Sequence, residues 1–101
     1  TRVRSSAASD VYKRQLQAWL QTPTAEFTEL RDPGLLQLFL GADPAALARA
    51  QLPIHEEKLR EYRQLAEECP PDAPAGVRLS LESGIGHERE WVRFWSQLAD
   101  R

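Results

Sequence analysis

Residue types that would indicate an enzyme or a membrane protein are scarce in this chain of 101 residues. A single cysteine, Cys69, excludes an intrachain disulfide and a cysteine-based metal cluster, and is typical of a reducing compartment. No apolar run approaches the length of a membrane span. The formal net charge of −2 offers no basic surface of the kind that binds nucleic acid. We therefore expect one small cytoplasmic domain, with no DNA-binding residues in this chain itself.

Methionine is also absent, so the chain lacks an initiator and we expect it to be a fragment. Residues 1–15 show little apolar periodicity, and four small residues cluster at positions 5–8. The stretch at positions 5–15 resembles translated sequencing-adaptor read-through. We expect residues 1–15 to be disordered or artefactual. The alternative is a natural disordered arm that contacts phosphate through its basic residues: Arg2, Arg4, Lys13 and Arg14.

Helix start signals are the clearest local feature of the chain. Asp32-Pro33 and Asp43-Pro44 each place a capping carboxylate before a proline at the first helical position. The first pair predicts a short apolar helix from about Pro33 to Leu40, ended by Gly41. The second predicts a long helix from Pro44 to about Glu68. Both helices therefore start within about a dozen residues of each other.

Prolines predict where other helices stop. Leu16–Leu20 is predicted to be the last turn of a helix that ends at Thr22-Pro23, with residues 21–31 as a linker. Pro53 lies inside the long helical pattern and removes one backbone donor. We therefore expect a kink or a break near residues 50–53.

Two seams with alternating spacings of three and four predict an antiparallel helical hairpin. The first seam comprises Leu52, His55, Leu59, Tyr62, Ala66 and Cys69. A loop rich in proline follows at positions 69–76. The second seam comprises Leu81, Gly84, Glu88, Trp91, Trp95 and Leu98, flanked by Ile85, Val92 and Ala99. Residues 77–81 also alternate with period two and could start a strand, but no partner strand is visible and a helix is favoured. The expected fold class is all-α, a short apolar helix plus this hairpin.

A core of this size is thin, and small domains usually need a metal, a disulfide or a partner subunit. Phe94 points away from the second seam, so the last helix has two apolar faces. We expect a homodimer formed through coiled-coil-like helices; burial against residues 33–40 within a monomer is the alternative. The expected core or interface residues are Leu52, Leu59, Tyr62, Leu81, Gly84, Ile85, Trp91, Phe94, Trp95 and Leu98.

The polar residues show no catalytic or metal-binding signature. His55 and His87 do not have the spacing of a known ligand motif, and a hydrogen-bonded seam histidine is the expected role of His55. Glu88 lies on an apolar face, where a carboxylate needs a partner. His55, Tyr62 or an arginine of a second subunit could supply it. We expect no catalytic residue, no cofactor and no metal site.

The order of these segments resembles the C-terminal domain of PadR-family bacterial transcription regulators of the virulence activator alpha type. Leu16–Leu20 resembles the junction helix of that family. Leu30-Arg31-Asp32-Pro33, with the leucines after it, resembles the next element. His55–Tyr62 is similar to the middle helix and Leu79–Leu98 to the last one, although Pro53 departs from an uninterrupted middle helix. The resemblance covers about residues 16–101 and implies two segments after the disordered or artefactual residues 1–15: the end of a junction helix and linker at 16–31, and a helical dimerisation domain at 32–101.

The resemblance implies a homodimeric transcription regulator whose winged-helix DNA-binding domain would precede Leu16. DNA would then be bound only through that missing domain. Some members respond to small aromatic molecules, which implies a candidate effector pocket formed by Phe39, His55, Tyr62, Glu88 and Trp91, with Trp95 nearby. Aromatic residues at helical spacing also serve as plain core residues. A stand-alone helical protein–protein interaction module is the alternative function.

Overall fold

The computed structural model describes the backbone of residues 2–100 and the side chains of residues 7–100. It contains four helices: α1 (Arg2–Leu20), α2 (Pro33–Phe39), α3 (Pro44–Glu68) and α4 (Ala75–Ala99). The described residues include no strand, so the predicted all-α class is confirmed. Within them, no helix combines the length and apolarity needed to cross a membrane. The chain divides into two compact units, Thr1–Leu30 and Arg31–Arg101.

Helix α1 starts much earlier than the sequence analysis expected. It runs for 19 residues from Arg2, whereas we expected only a terminal turn at Leu16–Leu20 and disorder before it. The correction follows from composition, because alanine, arginine, lysine, glutamine and leucine favour helices and no glycine or proline interrupts the segment. Thr1 and the side chains of Arg2 and Arg4 lie outside the described residues. The read-through interpretation concerns the origin of this segment and stays a prediction.

Helices α2 and α3 begin at the predicted caps. The Asp32 Oδ1 atom accepts a hydrogen bond from the Leu35 N–H at 3.0 Å, and Asp43 Oδ2 accepts one from the Ala46 N–H at 2.9 Å. Gly41 ends α2 with a positive φ of 108°, which an L side chain rarely adopts. These local interactions fix where each helix starts.

The Asp43 cap carries a testable consequence. Replacing Asp43 with alanine should lower the free energy of unfolding by about 1 kcal/mol, because alanine cannot accept the Ala46 N–H bond. Urea unfolding followed by circular dichroism measures this change. Asp72→Ala is the matched control, since Asp72 is exposed in the loop and α4 has no side-chain cap. Equal losses in the two variants would contradict the assigned role.

Helix α3 runs unbroken through Pro53, so the expected break was wrong. Proline cannot donate to the carbonyl of Arg49, but both residues are exposed and water can satisfy that oxygen. A kink at this position stays a prediction. Residues 77–81 belong to α4, which confirms the helical alternative for the segment.

The antiparallel register of α3 and α4 is set by two contacts. His55 contacts Glu88, and Gly84 lies against the ring of Tyr62. Ala48 lies seven residues before His55, and Trp95 lies seven residues after Glu88, so the two residues are level with each other across the hairpin. Both are fully buried. The buried apolar residues among those described are Ala45, Ala48, Leu59 and Trp95. The core is therefore thin, as the sequence indicated.

Helix α2 packs against α3 alone among the described helices. Gly34 is buried there, and a Cβ added to it would lie 2.8 Å from Cδ of Gln51. Glycine at this position therefore allows α2 to approach α3 closely. The other face of α2 is open, with Phe39 86% exposed.

Candidate functional site

The two predicted seams face each other across the hairpin. Eleven of their twelve residues are buried or half-buried, and only Ala66 is exposed. Ile85, Val92 and Ala99, predicted to flank the second seam, are also half-buried. The residues predicted as core or interface therefore lie at or beside the α3–α4 contact within one chain.

A histidine–carboxylate pair joins the helices at the middle of this contact. The Nδ1 atom of His55 lies 2.5 Å from Oε2 of Glu88, and the two side chains are 15% and 16% exposed. Because an ionised carboxylate only accepts hydrogen bonds, the His55 Nδ1–H group is assigned as the donor and Glu88 Oε2 as the acceptor. The Trp91 ring lies beside His55, with centroids 5.7 Å apart. Glu88 thus finds the first of the three partners named for it from the sequence.

Aromatic packing continues from Trp91 along α4. The Trp91 and Phe94 rings meet edge to face with centroids 6.2 Å apart, and Phe94 meets Trp95 in the same way at 5.0 Å. Phe94 is accordingly half-buried against its neighbours. The buried Nε1 atom of Trp95 has no hydrogen-bond partner among the described residues. Trp95 therefore contributes through packing alone.

The structure brings together part of the predicted effector pocket. His55, Glu88 and Trp91 are neighbours, as described above. Tyr62 lies about two turns along α3. There it lines an open groove of about 750 Å³, at the loop end of the hairpin, together with Val77, Ser80 and Leu81. Phe39 is solvent-exposed on α2. An effector pocket that unites all five residues stays a prediction.

Surface ion pairs lie on the exposed sides of α3 and α4. Arg60 contacts Glu57, Arg93 contacts Glu90, and Lys58 Nζ lies 3.0 Å from Oε2 of Glu61. The hydrogen bond with Glu61 raises the pKa of Lys58, and the one with Arg93 lowers the pKa of Glu90. Exposed pairs of this kind contribute little to stability.

The residues of the second compact unit can be compared with a known family. Residues 30–101 match the family model described as virulence activator alpha C-term. The chain belongs to this family. No curated protein and no solved structure matches it.

The family match almost coincides with the unit Arg31–Arg101, so the virulence activator alpha C-terminal domain consists of α2, α3 and α4. Among its described residues, no group of three or more histidine, cysteine or acidic side chains is placed to hold a metal ion. Cys69 is half-buried at the end of α3. The site of this domain is therefore a packed hairpin joined by one internal polar pair.

Two glycines of α4 offer a matched test of the hairpin packing in the virulence activator alpha C-terminal domain. Gly86→Ala should stabilise the domain by about 1 kcal/mol, because alanine favours helices and an added Cβ meets no atom within 4 Å. Gly84→Ala should be neutral or destabilising, because its Cβ would lie 2.9 Å from Cε2 of Tyr62. Thermal unfolding measures both changes. A similar rise in melting temperature for the two variants would contradict the close approach at Gly84.

The virulence activator alpha C-terminal domain also exposes apolar side chains, of which the sequence analysis gave only Phe39 a role, in the candidate effector pocket. They lie on α2 and at its C-terminal cap, on α3 and at the start of α4: Leu36, Phe39, Leu40, Ile54, Leu65, Val77 and Leu79. The sequence analysis sought an exposed apolar face on α4, around Phe94. On α3, the spacing of Ile54 and Leu65 in the sequence indicates a shared apolar face, because eleven residues are about three helical turns.

Proposed function

We propose that this chain contains the dimerisation domain of a PadR-like bacterial transcription regulator. The observation that carries the proposal is the match of residues 30–101 to the virulence activator alpha C-terminal family. The packed α3–α4 hairpin supports it, because such a hairpin presents long helical faces to a second subunit.

The exposure of apolar residues supports association of two copies. In a unit of about 70 residues, only Ala45, Ala48, Leu59 and Trp95 are buried apolar residues among those described. Phe39 and Leu40 are 86% and 73% exposed at the C-terminal end of α2. Small domains with so little core usually gain stability from a partner. A homodimer would bury this surface and complete the core.

In the parent protein, a winged-helix domain would precede Leu16 and bind DNA in the cytoplasm of a bacterium. The dimer would hold two such domains at a fixed separation, matched to a two-fold symmetric operator. Its contribution to DNA affinity would be geometric, since linking two binding domains raises their effective concentration. A small aromatic effector, if bound, would act by shifting the population of helix crossings.

The proposal is tested by recovering the DNA upstream of the codon for Leu16. A reading frame that encodes a winged-helix pattern, continuous with this chain, is the expected result. The recovered protein should then bind an operator fragment as a dimer in a gel-shift titration. An initiator codon just before Leu16 would contradict the proposal and favour a stand-alone interaction module.

A further inference from the structure

One face of α3 is only partly polar although it is exposed to solvent. It comprises Ile54, Lys58, Glu61 and Leu65, and we call it the α3 outer face. At 100° per residue these positions fall within about 60° of one another on the helix. They lie roughly 100° from the seam that contains His55 and Leu59. The two apolar side chains are 61% and 50% exposed.

The order of side chains along the α3 outer face is self-complementary. Read from either end, an apolar residue is followed four positions later by a charged one, and Lys58 and Glu61 carry opposite charges. A two-fold axis near Leu59 and Arg60 places Ile54 of one chain level with Leu65 of a second, antiparallel chain. The same axis places Lys58 level with Glu61 of that chain. Such an arrangement is isologous, because each contact occurs twice.

We infer that a second copy of this chain docks antiparallel on the α3 outer face, an inference that rests on the proposed dimer. Ile54 then packs against Leu65 of the second copy, and Lys58 pairs with its Glu61 across the two-fold axis. Charge complementarity selects a second copy as the occupant, because Lys58 and Glu61, which pair within one chain, would make the same pair between chains. Any other antiparallel register of two α3 helices would separate at least one of these pairs.

Neighbouring surface extends the contact beyond α3. Gln51, which packs against Gly34 of α2, lies about 60° from Ile54 on the helix. Helix α2 therefore meets α3 next to the α3 outer face, and its Leu36 and Phe39 side chains are exposed. The remaining faces of α3 are the seam and a polar side that carries Arg49, Glu56, Glu57, Arg60, Arg63 and Glu67.

The charged pair offers a test that separates contacts between chains from contacts within one. Lys58→Glu gives a chain with glutamates at both positions, and Glu61→Lys gives one with lysines at both. Either homodimer sets like charges across the axis, whereas the mixed dimer sets opposite charges there twice. The unfavourable pair within each helix is the same in both kinds of dimer and cancels.

The experiment mixes the Lys58→Glu and Glu61→Lys full chains, one of them isotope-labelled, and counts dimers by native mass spectrometry. In an equimolar mixture, the ratio of mixed dimers to either homodimer should exceed its statistical value of about two by about threefold or more at low salt, and this excess should shrink at high salt. The control mixture is Arg60→Glu with Glu57→Lys, which alters an equivalent pair on the polar side of α3. That mixture should form mixed dimers and homodimers in statistical proportions.

Substitutions of two exposed leucines by glutamate complete the test. Leu65→Glu should raise the dimer dissociation constant tenfold or more, since a charge would enter the contact twice. Leu79→Glu is its control, because Leu79 is 61% exposed on α4. The unaltered chain could be dimeric while the Lys58→Glu and Glu61→Lys chains mix statistically, or while Leu65→Glu and Leu79→Glu have equal effects. Either result would overturn the docking face and leave the proposed function intact. A monomeric unaltered chain would overturn both.

Discussion

Replacing Trp95 with alanine should lower the free energy of unfolding by about 3–5 kcal/mol, the largest effect expected of any single substitution in this chain. Trp95 is fully buried and touches the Phe94 ring, so its removal leaves a cavity in a core that has few other members. The whole domain is expected to have a stability of only a few kcal/mol. The variant should therefore be largely unfolded at room temperature, as measured by circular dichroism and urea titration.

Two further variants make this result interpretable. Trp95→Phe should remain folded and lose about 1–2 kcal/mol, because the buried Nε1 atom makes no hydrogen bond to a described residue that phenylalanine would forfeit. Trp19→Ala is the matched control, since Trp19 is 67% exposed on α1. It should leave the urea midpoint unchanged. Equal effects of the alanine variants at positions 19 and 95 would contradict the assigned core.

Removal of the Glu88 carboxylate is the second large effect. Glu88→Ala should lower the free energy of unfolding by about 2–3 kcal/mol, because it leaves the half-buried His55 without its acceptor. Glu88→Gln keeps an oxygen acceptor at the same place and should lose less. Urea unfolding of the His55→Ala, Glu88→Ala and double variants gives the coupling energy, which should be about 1 kcal/mol or more.

The control for this cycle is Glu90→Ala. Glu90 also pairs with a basic residue, Arg93, but both side chains are more than half exposed. Its removal should leave the unfolding midpoint unchanged. If Glu88→Ala and Glu90→Ala unfold alike, the His55–Glu88 pair is not a structural joint of the hairpin.

The fold was predictable where short-range chemistry decides it. Asp32 and Asp43 identify helix starts because the capping bond spans only three residues. The alternation of three and four along both seams identified the hairpin and placed Gly84 on its seam, where it lies against the Tyr62 ring. The acceptor of His55 could be named because a carboxylate on an apolar face requires a partner.

Other features depend on balances that a sequence pattern does not resolve. Pro53 interrupts the hydrogen bonding of α3, but the loss is small where water reaches the freed carbonyl, and the helix continues. Ala48 was missed because a small residue becomes a core residue only when a large one, Trp95, lies level with it across the hairpin. Phe39 was expected beside Trp91, yet the short helix α2 packs through Gly34 and leaves it in solvent.

The central claim, that two identical chains associate, is tested most directly by sedimentation equilibrium of the 101-residue chain at concentrations from low to high micromolar. The account predicts a mass that rises with concentration to about twice the 11.5 kDa of the chain and then levels off. A mass that stays at one chain throughout the range would contradict it.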